Sequence, residues 1–196
     1  MASSNQFMAV NRDRNETLVS GVQSRAELEA LHQAGVSYAG FIFMLTSPYG
    51  ISIQKGIEIG HNSPIPLVAI FQNADLEEIL YVAEHLNVSA VLLNGWETQA
   101  FISELRAKLP STIRIIKIAH MDDENPKMDY QDVDFYLLGG RIGERVELNE
   151  SLLSRIDLSN VFVSVNLDIK ALDWPNRSLS EIDFVSPPPK KRALLC

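Results

Sequence analysis

The chain has 196 residues, 46% of them hydrophobic and 21% charged, a formal net charge of −8 and a single cysteine, Cys196. That apolar content excludes bulk disorder and leaves room for one domain with its own core, expected over residues 1–196 with loose ends at 1–14 and 190–196. One thiol excludes an internal disulfide framework, the acidic balance argues against a phosphate-backbone partner, and no apolar run reaches the ~18 residues of a membrane helix.

The N-terminal segment lacks the basic end and long apolar stretch of a signal peptide. The expectation is therefore a cytoplasmic protein, a monomer or homodimer with a small-molecule ligand and no nucleic-acid or membrane partner. Residues 16–22 read as a strand. Ser24 to Leu31 opens a helix through the capping box Ser24–Glu27, and Gly35 stops it. Residues 38–43 form a nearly continuous apolar strand, and 52–61 a short helix. Residues 67–71 are again apolar throughout. The helix over 75–86 carries Leu76, Ile79, Leu80 and Ala83 at helical spacing. A strand over 90–93, a helix over 98–109 and a strand over 113–119 follow. Residues 121–132 are polar and irregular. Residues 134–138, 161–165 and 182–185 read as strands, and 148–156 as a helix.

Strands apolar on both faces belong to parallel sheets covered by helices. Their alternation with helices argues for βαβ units. Periodicity leaves two arrangements open, an eightfold barrel and an open doubly wound sheet. Eight units in this length is tight for a barrel, whose usual size is nearer ~250 residues.

Five segments in register resolve the choice by resemblance. Gly40-Phe41-Ile42-Phe43 followed by Ser47-Pro48, Val68-Ala69-Ile70-Phe71-Gln72-Asn73, Val91 to Glu97, Ile116-Lys117-Ile118 and Tyr136 to Gly140 resemble, in that order, the G-F-I-F…S-P-R, V-G-V-F-V-N, V-Q-L-H-G-x-E, I-K-A and Y-L-L-D-S segments of the phosphoribosylanthranilate isomerase family. The resemblance spans residues 17 to about 192. It implies a compact α/β protein, a (β/α)8 barrel with a shortened last helix after Pro189.

The resemblance also marks departures. Ser20 stands at the position of the family's catalytic cysteine in K-I-C-G, and Gly139 at that of its aspartate in L-L-D-S. Tyr49 replaces the arginine of S-P-R, and Asn94 the histidine of Q-L-H-G. The loops that hold phosphate in the family read Val165-Asn166-Leu167-Asp168 and Ser186-Pro187-Pro188-Pro189 here; proline has no N–H to offer an anion. The family's Amadori rearrangement uses a general acid and a general base, each contributing typically ~10²–10⁴-fold. The expectation is a barrel that has lost the parent acid, base and phosphate grip.

Chemistry in such barrels sits at the C-terminal ends of the strands, which selects the candidate residues. Lys117, Asp168 and Ser20 are the catalytic candidates. Asn73, Asn94, Trp96, His120, Arg141 and Asn166 are the ligand-binding ones. Lys117 is the sharpest: a lysine within an apolar strand, read as facing the barrel interior with Ile115 and Ala119, where burial would lower its pKa for amine chemistry. The alternative for it is a structural lysine paired to a carboxylate. His120 is read either as an acid–base group or as a surface-loop residue. Asn94, Asn166 and Asp168 are read as hydrogen-bonding groups or as turn and helix caps. Trp96 stacks on a planar ligand or covers the rim, and Arg141 adds charge to a glycine-rich turn. No metal or cofactor pattern is present.

Three functions stay open: an enzyme repurposed for another small metabolite, a non-catalytic binding or scaffold barrel, and a divergent but active isomerase. A polar mouth with Lys117 pointing into it favours the first. A mouth covered by Tyr49, Trp96 or Met44 favours the second.

Overall fold

A computed structural model describes residues 17–120, 126–139, 160–165 and 184–186. In chain order the elements are β1 (Leu18–Ser20), α1 (Arg25–Gln33), β2 (Tyr38–Ile42), α2 (Ile53–Gly60), β3 (Leu67–Phe71), α3 (Leu76–His85), β4 (Val88–Leu93), α4 (Gln99–Lys108), β5 (Arg114–His120), β6 (Phe135–Gly139), β7 (Val161–Val165) and β8 (Phe184–Ser186). Their boundaries follow local chemistry. Gly21, at φ +80, ends β1 early. Ser24, Ser52 and Thr98 cap α1, α2 and α4, each accepting the amide of the residue three positions on. Glu27 turns back to accept the Gln23 amide at 2.6 Å, a variant of the expected box.

The strands lie in chain order and close on one another. Neighbours from β1 to β7 pair in parallel, as the apolar runs require. β8 departs from the expected all-parallel barrel: it runs antiparallel to both β7 and β1. Antiparallel neighbours can be joined on one side of a sheet, whereas a parallel return needs a crossover. The expected helix over 148–156, the shortened last helix and the loose ends lie outside the described residues.

Two apolar layers follow the two faces of the strands. Leu18, Ile42, Val68, Ile70, Leu92 and Ile118 belong to one buried cluster that contains no helix residue, which is the inside of the barrel. Their chain neighbours Val19, Phe41, Ala69, Phe71, Leu93 and Ile115 pack instead with Leu28 and Leu31 of α1, Ile79 and Val82 of α3, and Ile102 and Leu105 of α4. Each large side chain buried in this way is worth about 1.5–3 kcal/mol.

The lower end of the β4–α4–β5 unit is fastened by Arg106. Its guanidinium donates to the carbonyls of Ile113 (2.9 Å), Leu109 (3.2 Å) and Pro110 (2.8 Å). It also faces Asp134 at 3.5 Å, which pairs with Arg114 at 2.9 Å and accepts the Ile115 amide at 2.8 Å. The carbonyls of the C-cap and of the turn just beyond α4 are thereby bonded to a cation, as a helix C-terminus favours.

Candidate active site

The upper ends of β4 and β5 carry most of the described candidates, and the alternation of strand side chains sorts them into two groups. Positions 90 and 92 of β4 and 116 and 118 of β5 face inward. Asn94 and His120 continue those rows. Positions 91, 93 and 115 face the helices, and Lys117, register partner of Leu93 on one side and Tyr136 on the other, continues that row. The expectation that Lys117 faces the barrel interior is therefore corrected. Lys117 shares its face with Ile115 and Ala119, as expected, but that face is the outer one.

On the outer side Lys117 is buried and fully partnered. Its ammonium lies 3.1 Å from Glu97 Oε2, and both side chains are only 3% exposed. It donates to Gly95 O at 2.7 Å and to Leu93 O at 3.3 Å. An ammonium has three N–H donors, and all three are used. Burial holds its pKa below the ordinary lysine value, while the Glu97 carboxylate opposes that shift. Glu97 itself accepts the Asn73 amide through Oε1 (3.0 Å) and the Gly95 amide through Oε2 (3.1 Å). Asn73 holds a left-handed backbone at φ +52, and its Oδ1 accepts the Trp96 amide at 2.7 Å. Asn73, expected to bind ligand, thus spends its side-chain oxygen on the turn that follows β4. In the sequence Glu97 belongs to a family-like segment and is a possible acid for the divergent isomerase; the signal for its pairing is a carboxylate just ahead of the α4 cap, beside a strand that contains a lysine.

The inner side differs. Asn94 is 2% exposed, and its amide nitrogen in the backbone bonds Phe71 O at 2.8 Å. Among the described residues its buried side-chain Oδ1 has no hydrogen-bond partner, and neither does His120 Nδ1. The rings of Trp96 and His120 lie 5.6 Å apart at a 38° tilt, with Trp96 69% exposed. His120 pairs with Gly139 of β6, where no side chain intervenes. Ser20 ends β1 next to Gly40 of β2 and is buried. Met44 and Tyr49 are partly buried against the inner cluster, covering part of the same end of the barrel.

Arg141, Asn166 and Asp168 lie outside the described residues. Among the described residues no group of three or more His, Cys, Asp or Glu side chains is placed to hold a metal, and no helix is long and apolar enough to cross a membrane.

Comparison with known proteins gives the family and the fold. Residues 18–172 match the family model described as N-(5'phosphoribosyl)anthranilate (PRA) isomerase. The tryptophan biosynthesis protein TrpCF of Salmonella typhi is 33% identical over 153 residues, 78% of this chain but 34% of the relative. The chain thus spans about a third of the length of that curated relative. Among solved structures, TrpF from Jonesia denitrificans superposes with a TM-score of 0.63 at 17% identity, over 76% of this chain and 74% of that one, a likeness of fold alone. A phosphoribosyl anthranilate isomerase in complex with reduced 1-(o-carboxyphenylamino)-1-deoxyribulose 5-phosphate superposes with a TM-score of 0.52 at 25% identity, over 63% of each chain. The chain belongs to the N-(5'-phosphoribosyl)anthranilate isomerase family.

Proposed function

We propose that this member of the family binds a small polar metabolite at the C-terminal end of the barrel and does not isomerise phosphoribosylanthranilate. The observation that carries the reading is the pair of buried atoms on the inner face, Asn94 Oδ1 and His120 Nδ1, that have no partner among the described residues. A buried acceptor left unpaired costs about 1–3 kcal/mol, and a ligand N–H or O–H reaching Asn94 removes that cost. Trp96 offers a flat exposed face beside His120, suited to a planar group.

The parent reaction asks for an acid and a base. By resemblance those positions are Gly139 and Ser20, and neither side chain titrates near neutrality. Among the described side chains at the strand tips, His120 is the one of the residue type most used for proton transfer. Lys117 supplies no free amine, because its donors are committed to Leu93, Gly95 and Glu97. Among the described residues, chemistry at this mouth therefore centres on His120. Arg141, Asn166 and Asp168 enter the proposal by sequence position only, as neighbours of the same mouth. So does the ligand's lack of a phosphate, which rests on Asp168 and on Pro187 to Pro189. The proposal also takes the chain as one barrel domain.

The test is direct. Purified protein incubated with phosphoribosylanthranilate should give no product above the spontaneous rate; conversion above it overturns the proposal. In parallel, small N–H or O–H bearing aromatic fragments should shift the Asn94 side-chain resonances in NMR titrations. A second reading, a scaffold barrel without ligand, is favoured by Met44 and Tyr49 packed over the inner cluster. It becomes the better account where no fragment moves Asn94.

A further inference from the structure

The turn that follows β4 is held by contacts that all come from the outer side of the barrel. Lys117 bonds the carbonyls of Leu93 and Gly95, and Glu97 bonds the Gly95 amide. Leu93 and Gly95 are the two residues that bracket Asn94. The amide of Trp96 is held by Asn73, whose own amide is held by Glu97. Gly95 leaves room for nothing larger: an added Cβ would meet the Glu97 carboxylate at 2.6 Å and the Asn73 Cγ at 2.7 Å. The turn is closed on glycine, and its direction is fixed from outside.

We propose that Glu97 and Lys117 form a positioning pair, which aims the Asn94 amide into the barrel and lays the Trp96 indole against His120 without either charged group reaching the mouth. The choice of residues supports this over a purely cohesive role. Well-packed apolar side chains of similar volume hold a strand to a helix as well as a buried ion pair does, or better. What they lack is direction. The carboxylate and the ammonium together make four directed bonds to the backbone of residues 73, 93 and 95. The left-handed conformation of Asn73 is a strained one for a residue with a side chain, of the kind that persists where its surroundings over-determine it. The importance of the pair to a ligand rests on the mouth reading above; the geometric assignment does not.

The Trp96–His120 contact gives a readout that needs no ligand. An indole ring shifts the NMR resonances of an imidazole stacked near it. At fixed pH, Trp96→Ala defines the position of the His120 ring resonances without the indole. His85 is the internal control, because it stacks on Tyr81 at 4.0 Å, away from this network. In Glu97→Gln the His120 resonances should move to the Trp96→Ala position while those of His85 stay fixed. The double variant Glu97→Gln with Lys117→Met, which carries no buried charge, should do the same and serves where the single variant does not fold. His120 resonances unmoved in a folded variant overturn the proposal. Movement of His85 together with His120 overturns it too, since the change is then in the whole barrel. A wild-type protein whose Asn94 responds to no fragment defeats the mouth reading and leaves the positioning pair standing.

Discussion

Two polar clusters sit three residues apart at the ends of the same two strands, and they are opposites. On the outer face, Glu97 of the turn after β4 and Lys117 of β5 are charged, buried and partnered at every lysine donor. On the inner face, Asn94 and His120 each keep a buried atom without a partner among the described residues. A completed network stabilises one geometry. An incomplete one stores an unmet hydrogen bond that another molecule can meet. The difference separates groups that shape a site from groups that await its ligand, although the charged pair is the more conspicuous in the sequence.

The largest effect expected from breaking this contrast comes from splitting the outer pair. Glu97→Gln or Lys117→Met alone should cost about 3–5 kcal/mol, because each leaves an uncompensated buried group, while the double replacement should come close to wild-type stability. Denaturant titration of all four proteins measures the cycle, and equal additive losses would show that the pair is not coupled. The pH dependence has a definite sign. The folded-state pKa of Lys117 is lowered, chiefly by burial, so the folded chain gives up that proton more readily than the unfolded one. The group therefore opposes folding at neutral pH, and this cost is relieved as pH rises from the folded pKa towards 10.5. Relative to Lys117→Met, wild-type stability should improve over that alkaline window.

Gly95→Ala should come next, at about 1–3 kcal/mol for the overpacking it forces against Asn73 and Glu97. On the inner face the sign reverses. Asn94→Leu, which removes the unpaired acceptor and keeps the volume, should leave stability unchanged or raise it by about 1 kcal/mol, while abolishing any fragment response; thermal unfolding with and without fragment separates the two. The smallest effect should be that of His120→Phe, which keeps a ring against Trp96 and is expected within about 0.5 kcal/mol of wild type.

How much of this the sequence discloses depends on the kind of signal. The apolar runs, the helical spacing and the cap at Ser24 mark strands and helices to within a residue or two, because they are local. The face taken by Lys117 is not local. In a strand apolar on both sides, alternation carries no mark of inside and outside, and only pairing with Leu93 and Tyr136 decides it. The direction of β8 is of the same kind, since a three-residue strand does not encode its neighbours' sense. The partnership of Glu97 with Lys117 spans a helix, and the opposition of His120 to Gly139 spans two strands; neither has a sequence interval that identifies it.

The Arg106 fastening at the lower end of α4 acquires a meaning once Lys117 is placed at the upper end. The segment from β4 through α4 to β5 is held at both extremities by a cation that bonds backbone carbonyls. Transient opening of a native protein proceeds in contiguous cooperative units, and an element held at one end only can fray from the other. This segment has no free end to fray from. Its amides should exchange with solvent deuterium together, in one late event, while those of the three-residue strand β1 exchange earlier and singly. Seen over hours rather than in a static picture, the wall of the barrel that carries Asn94 and His120 would be the last part of the described molecule to open.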